Sequence, residues 1–194
     1  MSLRGDFTRM IPRLKPANLN RELLVKAAKM KGREDPVAID ATAGLGEDSL
    51  LLAAAGFTVF LHERNPVIAA LLHDAMARAS LDPALAEAAK RMHLAVGDSV
   101  QALRECACHP DVVLLDPMFP GRNKSAAVKK KLQLLQQLER PCDDERELLD
   151  AAFAAHPLKI VVKRPQKGPY LAGRKPDYSL EGKAIRFDCF ALAR

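Results

Sequence analysis

The chain has 194 residues, 48% of them hydrophobic, which is enough for one substantial core and leaves no need for a second large domain. Its net charge of +6 and pI near 9.3 permit a polyanionic partner. No apolar run reaches the roughly 18 residues that a membrane span needs and no secretory signal is visible, so a cytoplasmic protein without membrane attachment is expected.

In chain order, residues 20–31 carry helical spacing (Leu23, Leu24, Ala27, Ala28) and are expected to pack on a sheet or to cap a ligand site. Residues 37–40 read as a buried strand ending on Asp40. It runs into the turn Asp40-Ala-Thr42-Ala-Gly44-Leu-Gly46-Glu47-Asp48 and a helix over 48–55. Two glycines at a strand–helix turn let backbone approach a ligand, although close packing alone would also use them. A second strand, 58–63, ends on Glu63, roughly 20 residues beyond Gly44, where a carboxylate can accept hydrogen bonds from both hydroxyls of a ribose. The turn carries Asp40, Thr42 and Asp48 where a dinucleotide site would keep bare amides for pyrophosphate, so phosphate is a poor match. S-adenosyl-L-methionine, with its sulfonium and amino group and no phosphate, fits better.

Asn65-Pro66 opens a helix through residue 80, and 81–91 are expected to form another. A third strand, 93–96, ends at Gly97-Asp98, where Asp98 could receive an adenine amino group. Residues 100–106 are helical. The fourth strand, 112–115, is wholly apolar and stops at Asp116-Pro117-Met118-Phe119-Pro120. An exocyclic amine is a weak nucleophile because its lone pair is delocalised into the base. Acceptors that hold its N–H bonds draw the nitrogen toward tetrahedral geometry. The Asp116 carboxylate and the Pro117 carbonyl can do so, with Phe119 stacking on a base held out of its helix.

Further helices are expected at 129–138 and 144–155, a fifth strand at 159–162, and a late strand at 185–192 in an antiparallel hairpin. The alternation gives an α/β fold, a doubly wound and mostly parallel sheet.

Basic residues follow two strands: Arg122, Lys124, Lys129, Lys130 and Lys131 after the fourth, and Lys163, Arg164, Lys167, Arg174 and Lys175 after the fifth. They are expected to rim the crevice and hold a phosphate backbone without reading sequence. With no tryptophan and two tyrosines, a broad stacking platform for single strands is not expected. Cys106, Cys108, Cys142 and Cys189 form neither a disulfide framework nor a zinc pattern, and no metal site is expected. The five histidines pair with no evident nucleophile, so hydrolytic chemistry has no support.

These blocks, together with Glu63-Arg64-Asn65-Pro66, Lys124-Ser125-Ala126, Val161-Val162-Lys163-Arg164-Pro165 and Arg186-Phe187-Asp188, resemble the bacterial small-subunit (16S) ribosomal RNA guanine-N2 methyltransferases of the RsmJ type. The likeness runs over about 36–194. It implies a seven-stranded sheet of the class I S-adenosylmethionine-dependent methyltransferase (Rossmann-like) type with the last strand antiparallel, and residues 1–35 as an N-terminal helical extension. It also implies cofactor contacts from Glu47, Asp48, Glu63, Arg64, Asp98, Ser99 and Asp116. Glu47 departs from the family pattern, which has arginine after Gly-Leu-Gly. The activity implied is methyl transfer to the N2 amine of a guanine in ribosomal RNA or the small subunit. The alternatives are an adenine-N6 or cytosine-N4 nucleic-acid methyltransferase and a non-catalytic RNA-binding module that keeps the cofactor pocket.

Overall fold

The computed structural model describes residues 4–107, 109–117 and 145–192. Three short helices come first: α1 (Ile11–Leu14), α2 (Pro16–Leu19) and α3 (Leu23–Ala28). The chain then alternates through β1 (Val37–Asp40), α4 (Glu47–Ala54), β2 (Thr58–Glu63), α5 (Pro66–Ala79), α6 (Ala86–Ala89), β3 (Met92–Val96), α7 (Ser99–Arg104) and β4 (Val112–Leu115). After the undescribed stretch come α8 (Glu145–Ala154), β5 (Lys159–Pro165), β6 (Tyr178–Glu181) and β7 (Ile185–Ala191).

The seven strands form one sheet in the order β3-β2-β1-β4-β5-β7-β6. Strands β1 to β5 pair in parallel, and β7 runs antiparallel to both β5 and β6. The direction of winding reverses between β1 and β4, so a crevice opens at the carboxyl ends of those strands.

Strand alternation sends side chains to two buried faces, as expected of parallel strands covered on both sides. Ala38, Leu114 and Val161 pack with Leu50, Leu51, Leu72 and the N-terminal residues Phe7, Met10 and Leu24. Ile39, Val113, Leu115, Ile160 and Val162 pack on the other face with Leu103, Leu148, Leu149 and Ala152. The N-terminal segment therefore shares the sheet's own core rather than standing apart from it.

Most sequence expectations hold, with four differences. The helix expected over 20–31 contracts to α3, which ends where the Lys159 Nζ donates to the carbonyls of Ala27 (2.8 Å) and Lys29 (3.1 Å). The helix expected over 81–91 contracts to α6, because the Asp82 side chain accepts the Ala84 amide (2.8 Å) and closes a turn there. Strand β6 adds to the expected set, and β5 continues to Pro165 instead of stopping at residue 162. The helix expected over 129–138 lies outside the described residues.

Candidate functional site

The glycine turn is built by local chemistry. Gly46 adopts φ 74° at the start of α4, and a Cβ there would lie 2.6 Å from Leu72 Cδ1 and 3.3 Å from Phe7 Cζ. Both backbone conformation and space therefore demand glycine. Gly44, at φ 52°, turns its amide to Glu63 Oε2 (3.0 Å), while Glu63 Oε1 accepts the Asn65 amide (2.7 Å). Each carboxylate oxygen keeps further lone-pair capacity for a ligand hydroxyl. Burial pushes the Glu63 carboxyl above its ordinary range, against the backbone amides of Asn65 and Gly44.

Asp40 is buried at the end of β1. Its carboxylate accepts the Ser49 hydroxyl (2.5 Å) and the Thr42 amide (3.1 Å). Burial pushes this carboxyl up to about 7, opposed by those two hydrogen bonds and reinforced by the neighbouring Asp48 and Asp116. Thr42 in turn accepts the Asp116 amide on Oγ1 (2.6 Å), tying the end of β4 to the turn after β1. Asp40 and Thr42 thus line the crevice and also brace it.

Across the crevice, the Lys163 ammonium bridges two carboxylates, Asp48 Oδ2 at 2.5 Å and Asp116 Oδ2 at 2.9 Å. Burial opposes its charge, but Asp48 and Asp116 outweigh that and hold the ammonium above the usual lysine range. The Asp116 carboxyl is raised by burial and by Asp48, with Lys163 pulling the other way.

These groups line one cavity of about 1130 Å³. It includes Asp40, Thr42, Gly44, Gly46, Glu47, Asp48, Glu63, Arg64, Asp98, Ser99, Asp116 and Pro117, so every expected cofactor residue borders the same space. Asp98 accepts the Val100 amide at 3.0 Å and caps α7. Glu47 is half-exposed and pairs with Arg9 at 3.3 Å. Arg64 is exposed at the edge. The volume is slightly above the roughly 300 to 1,000 Å³ usual for small-molecule pockets.

Two residues expected on the outer basic rim, Lys163 and Arg164, sit elsewhere. Arg164 is 1% exposed: its Nε donates to the Pro169 carbonyl (2.8 Å) and it pairs with Glu145 (3.3 Å), whose other oxygen accepts the Ala172 amide (3.0 Å). It fastens the segment after β5 to the start of α8 and presents no charge to solvent. Lys163 is on the cavity wall, spent on two carboxylates, and not on an outer rim. Phe119, Arg122, Lys124, Lys129, Lys130 and Lys131 lie outside the described residues.

Several cavity residues escape the sequence reading, notably Arg9, Arg13, Asn18 and Arg21 of the N-terminal segment. The expectation that helix 20–31 packs on the sheet or caps the site points this way. Their residue types alone carry no such signal. Among the described residues no group of three or more His, Cys, Asp or Glu is arranged to hold a metal ion, and no helix is long and apolar enough to cross a membrane.

Fold and crevice define the class I, Rossmann-like methyltransferases that use S-adenosylmethionine. A family model described as putative SAM-dependent methyltransferase matches residues 3–192. Ribosomal RNA small subunit methyltransferase J of Thioalkalivibrio sulfidiphilus is 47% identical over 176 residues, 89% of this chain and 69% of that protein. Its namesake from Pseudomonas aeruginosa is 46% identical over 170 residues, 87% of this chain and 65% of that protein. The crystal structure of a SAM-dependent methyltransferase from Neisseria gonorrhoeae superposes with a TM-score of 0.78 at 35% identity, covering 98% of this chain and 75% of that one. The rRNA methyltransferase aviRa from Streptomyces viridochromogenes shares the fold, with a TM-score of 0.58 at 19% identity over 91% of this chain and 85% of that one. The chain belongs to the family of ribosomal RNA small subunit methyltransferase J, as its motifs led one to expect. It spans about two thirds of the length of these curated relatives.

Proposed function

We propose that this chain transfers a methyl group from S-adenosylmethionine to the exocyclic N2 amine of a guanine in small-subunit ribosomal RNA. The observation that carries the reading is the meeting of Asp116 and Pro117 with Glu63 and the glycine turn in one cavity. An amine acceptor and a ribose acceptor thereby share one space.

The donor set suits the cofactor. Glu63 would take the ribose hydroxyls and Asp98 the adenine amine, while Asp48 offers a carboxylate to the amino group of the amino-acid end. When bound, the cofactor supplies an electrophilic methyl on a sulfonium centre. Asp116 accepts one N–H of the target amine and the Pro117 carbonyl the other, which localises the nitrogen lone pair for attack. The new N–C bond forms as the S–C bond electrons return to sulfur, and the displaced proton leaves to Asp116 or to water. Alignment of the two reacting groups supplies much of the acceleration.

Phe119 would stack on the extruded base, and Arg122, Lys124, Lys129, Lys130 and Lys131 would track the phosphate backbone. Arg9, Arg13 and Arg21 line the cavity and would add cations to that contact. The partner is ribosomal RNA or the small subunit, reached in the cytoplasm.

The test is tritiated methyl transfer to under-modified small-subunit RNA at saturating cofactor, followed by nucleoside identification. N2-methylguanosine is expected from the wild type and none from Asp116→Ala. Methylated adenosine or cytidine would move the chain to the amine-methylating alternatives. Cofactor binding with no transfer to any RNA would leave a binding module.

A further inference from the structure

The Lys163 ammonium reaches two carboxylates brought from separate elements, Asp48 on α4 and Asp116 beyond β4. It stands 115 residues from Asp48 in sequence, so the fold alone makes the bridge. Both contacts use Oδ2 of their carboxylate, which on Asp116 leaves Oδ1 for an incoming N–H. Sequence placed this lysine among phosphate contacts, and neither the family match nor the reaction derived above gives it a task at Asp116.

Among the described residues, the charged groups around Asp116 are Lys163 and Arg164 from β5, Asp48 from α4 and Asp40 from β1. Two of the four are carboxylates that favour a proton on Asp116, and burial adds to them. A protonated Asp116 would be harmful to the chemistry. Its O–H would donate to the amine nitrogen and engage the lone pair that must attack carbon, whereas the carboxylate accepts N–H and frees that pair. Arg164 is committed to Pro169 and Glu145 on the far side of β5. Among the described residues, Lys163 is the cation in direct contact with Asp116.

We propose that Lys163 is a positioning residue for methyl transfer: by clasping Oδ2 it keeps Asp116 ionised and turned so that Oδ1 meets the target amine. This rests on Asp116 being the amine acceptor. Lys163 is not asked to touch RNA or to move a proton. Its second contact, with Asp48, sets the ammonium's place and ties the start of the glycine-turn helix to the amine-binding corner.

Two readouts test it. The first is a carbon-13 NMR titration of the aspartate carboxyls in ligand-free protein, with Asp116→Asn used to assign the signal. The Asp116 midpoint is expected to rise by about one pH unit or more in Lys163→Met, to return in Lys163→Arg, and to fall in Asp48→Asn. The second is the pH profile of kcat at saturating cofactor and RNA, whose acid limb is expected to move upward by the same amount in Lys163→Met and to be restored by arginine. A lysine that merely held the fold would lower activity equally at every pH and leave the midpoint still. An unchanged Asp116 midpoint in Lys163→Met, or an unchanged one in Asp48→Asn should the methionine variant not fold, overturns the proposal. Absence of methyl transfer by the wild type would instead overturn the functional reading, and the titration would still decide whether Lys163 governs the Asp116 proton.

Discussion

The backbone amide of Asp116 donates to Thr42 Oγ1 at 2.6 Å, so the end of β4 is hung on the turn that follows β1. The glycine turn and Asp116 are thereby one mechanical unit. Thr42→Val removes the acceptor while keeping the shape, leaving a partly buried amide without its partner at a cost of about 1 to 3 kcal/mol. The expected result is a lower kcat with near-normal affinity for S-adenosylhomocysteine. Thr42→Ser should restore kcat. Single-turnover transfer with calorimetry on the same variants checks this, and a normal kcat in Thr42→Val would show that Asp116 needs no such tether.

Glu63 accepts two backbone amides and borders the cavity, so its carboxylate braces the turn beside the proposed ribose position. Glu63→Ala should weaken binding of S-adenosylmethionine and S-adenosylhomocysteine by about 1 to 3 kcal/mol, and neither protein should bind NAD. Isothermal calorimetry reads both. An unaffected variant, or tight NAD binding by the wild type, contradicts the ribose assignment.

Gly46 is held by φ 74° and by Leu72 Cδ1, which lies 2.6 Å from where a Cβ would sit. Gly46→Ala must both strain the backbone and displace a core leucine, at roughly 1 to 3 kcal/mol of folding stability. Urea denaturation should show a lowered midpoint with unchanged slope. A midpoint equal to wild type would mean that the turn can relax.

What could be read from sequence follows from where the physics is local. Strands β1, β2 and β4 fall on their expected bounds because each is a short apolar run closed by an acidic or glycine-rich stop. α5 is equally legible, since Asn65 Oδ1 accepts the Val67 and Ile68 amides and Pro66 opens the first turn. Strand β6 escapes because Tyr178-Ser-Leu-Glu181 buries only part of Leu180 against the core and owes its extension to pairing with β7. The true places of Lys163 and Arg164 were equally hidden. A basic pair after an apolar strand reads as solvated, and only the folded sheet reveals that one meets Asp48 and Asp116 and the other Glu145.

Asp40 gives the fold a pH signature. Its carboxyl is pushed up to about 7 in the folded chain, above its ordinary unfolded value of 3.8. Between those values the folded state binds more protons than the unfolded one, so stability falls as pH rises through this window. The slope from one such group reaches at most about 1.4 kcal/mol per pH unit. Asp40→Asn can still accept the Thr42 amide and should flatten this dependence between about pH 4 and 7. Chemical denaturation at several pH values measures it, and an unchanged dependence in the variant would assign the effect to other groups.

Arg9 and Arg21 are exposed at the cavity, and Arg164 is buried. Arg9, with its side chain 59% exposed, and Arg21, also exposed, border the same cavity as Asp116. Arg164 is sealed against Pro169 and Glu145. Removing one cation that neutralises a phosphate should shallow the salt dependence of RNA binding by roughly 0.7 to 0.9 in slope. Arg9→Ala with Arg21→Ala should therefore weaken binding evenly across sequences and reduce the slope, with little change in folding stability. Arg164→Met should do the reverse, lowering stability by about 1 to 3 kcal/mol through the buried acceptors it abandons while leaving the salt slope alone. Fluorescence anisotropy over a salt series, paired with urea denaturation, separates the two. A salt slope that responds to Arg164 and ignores Arg9 and Arg21 would place the RNA on a different face of the sheet.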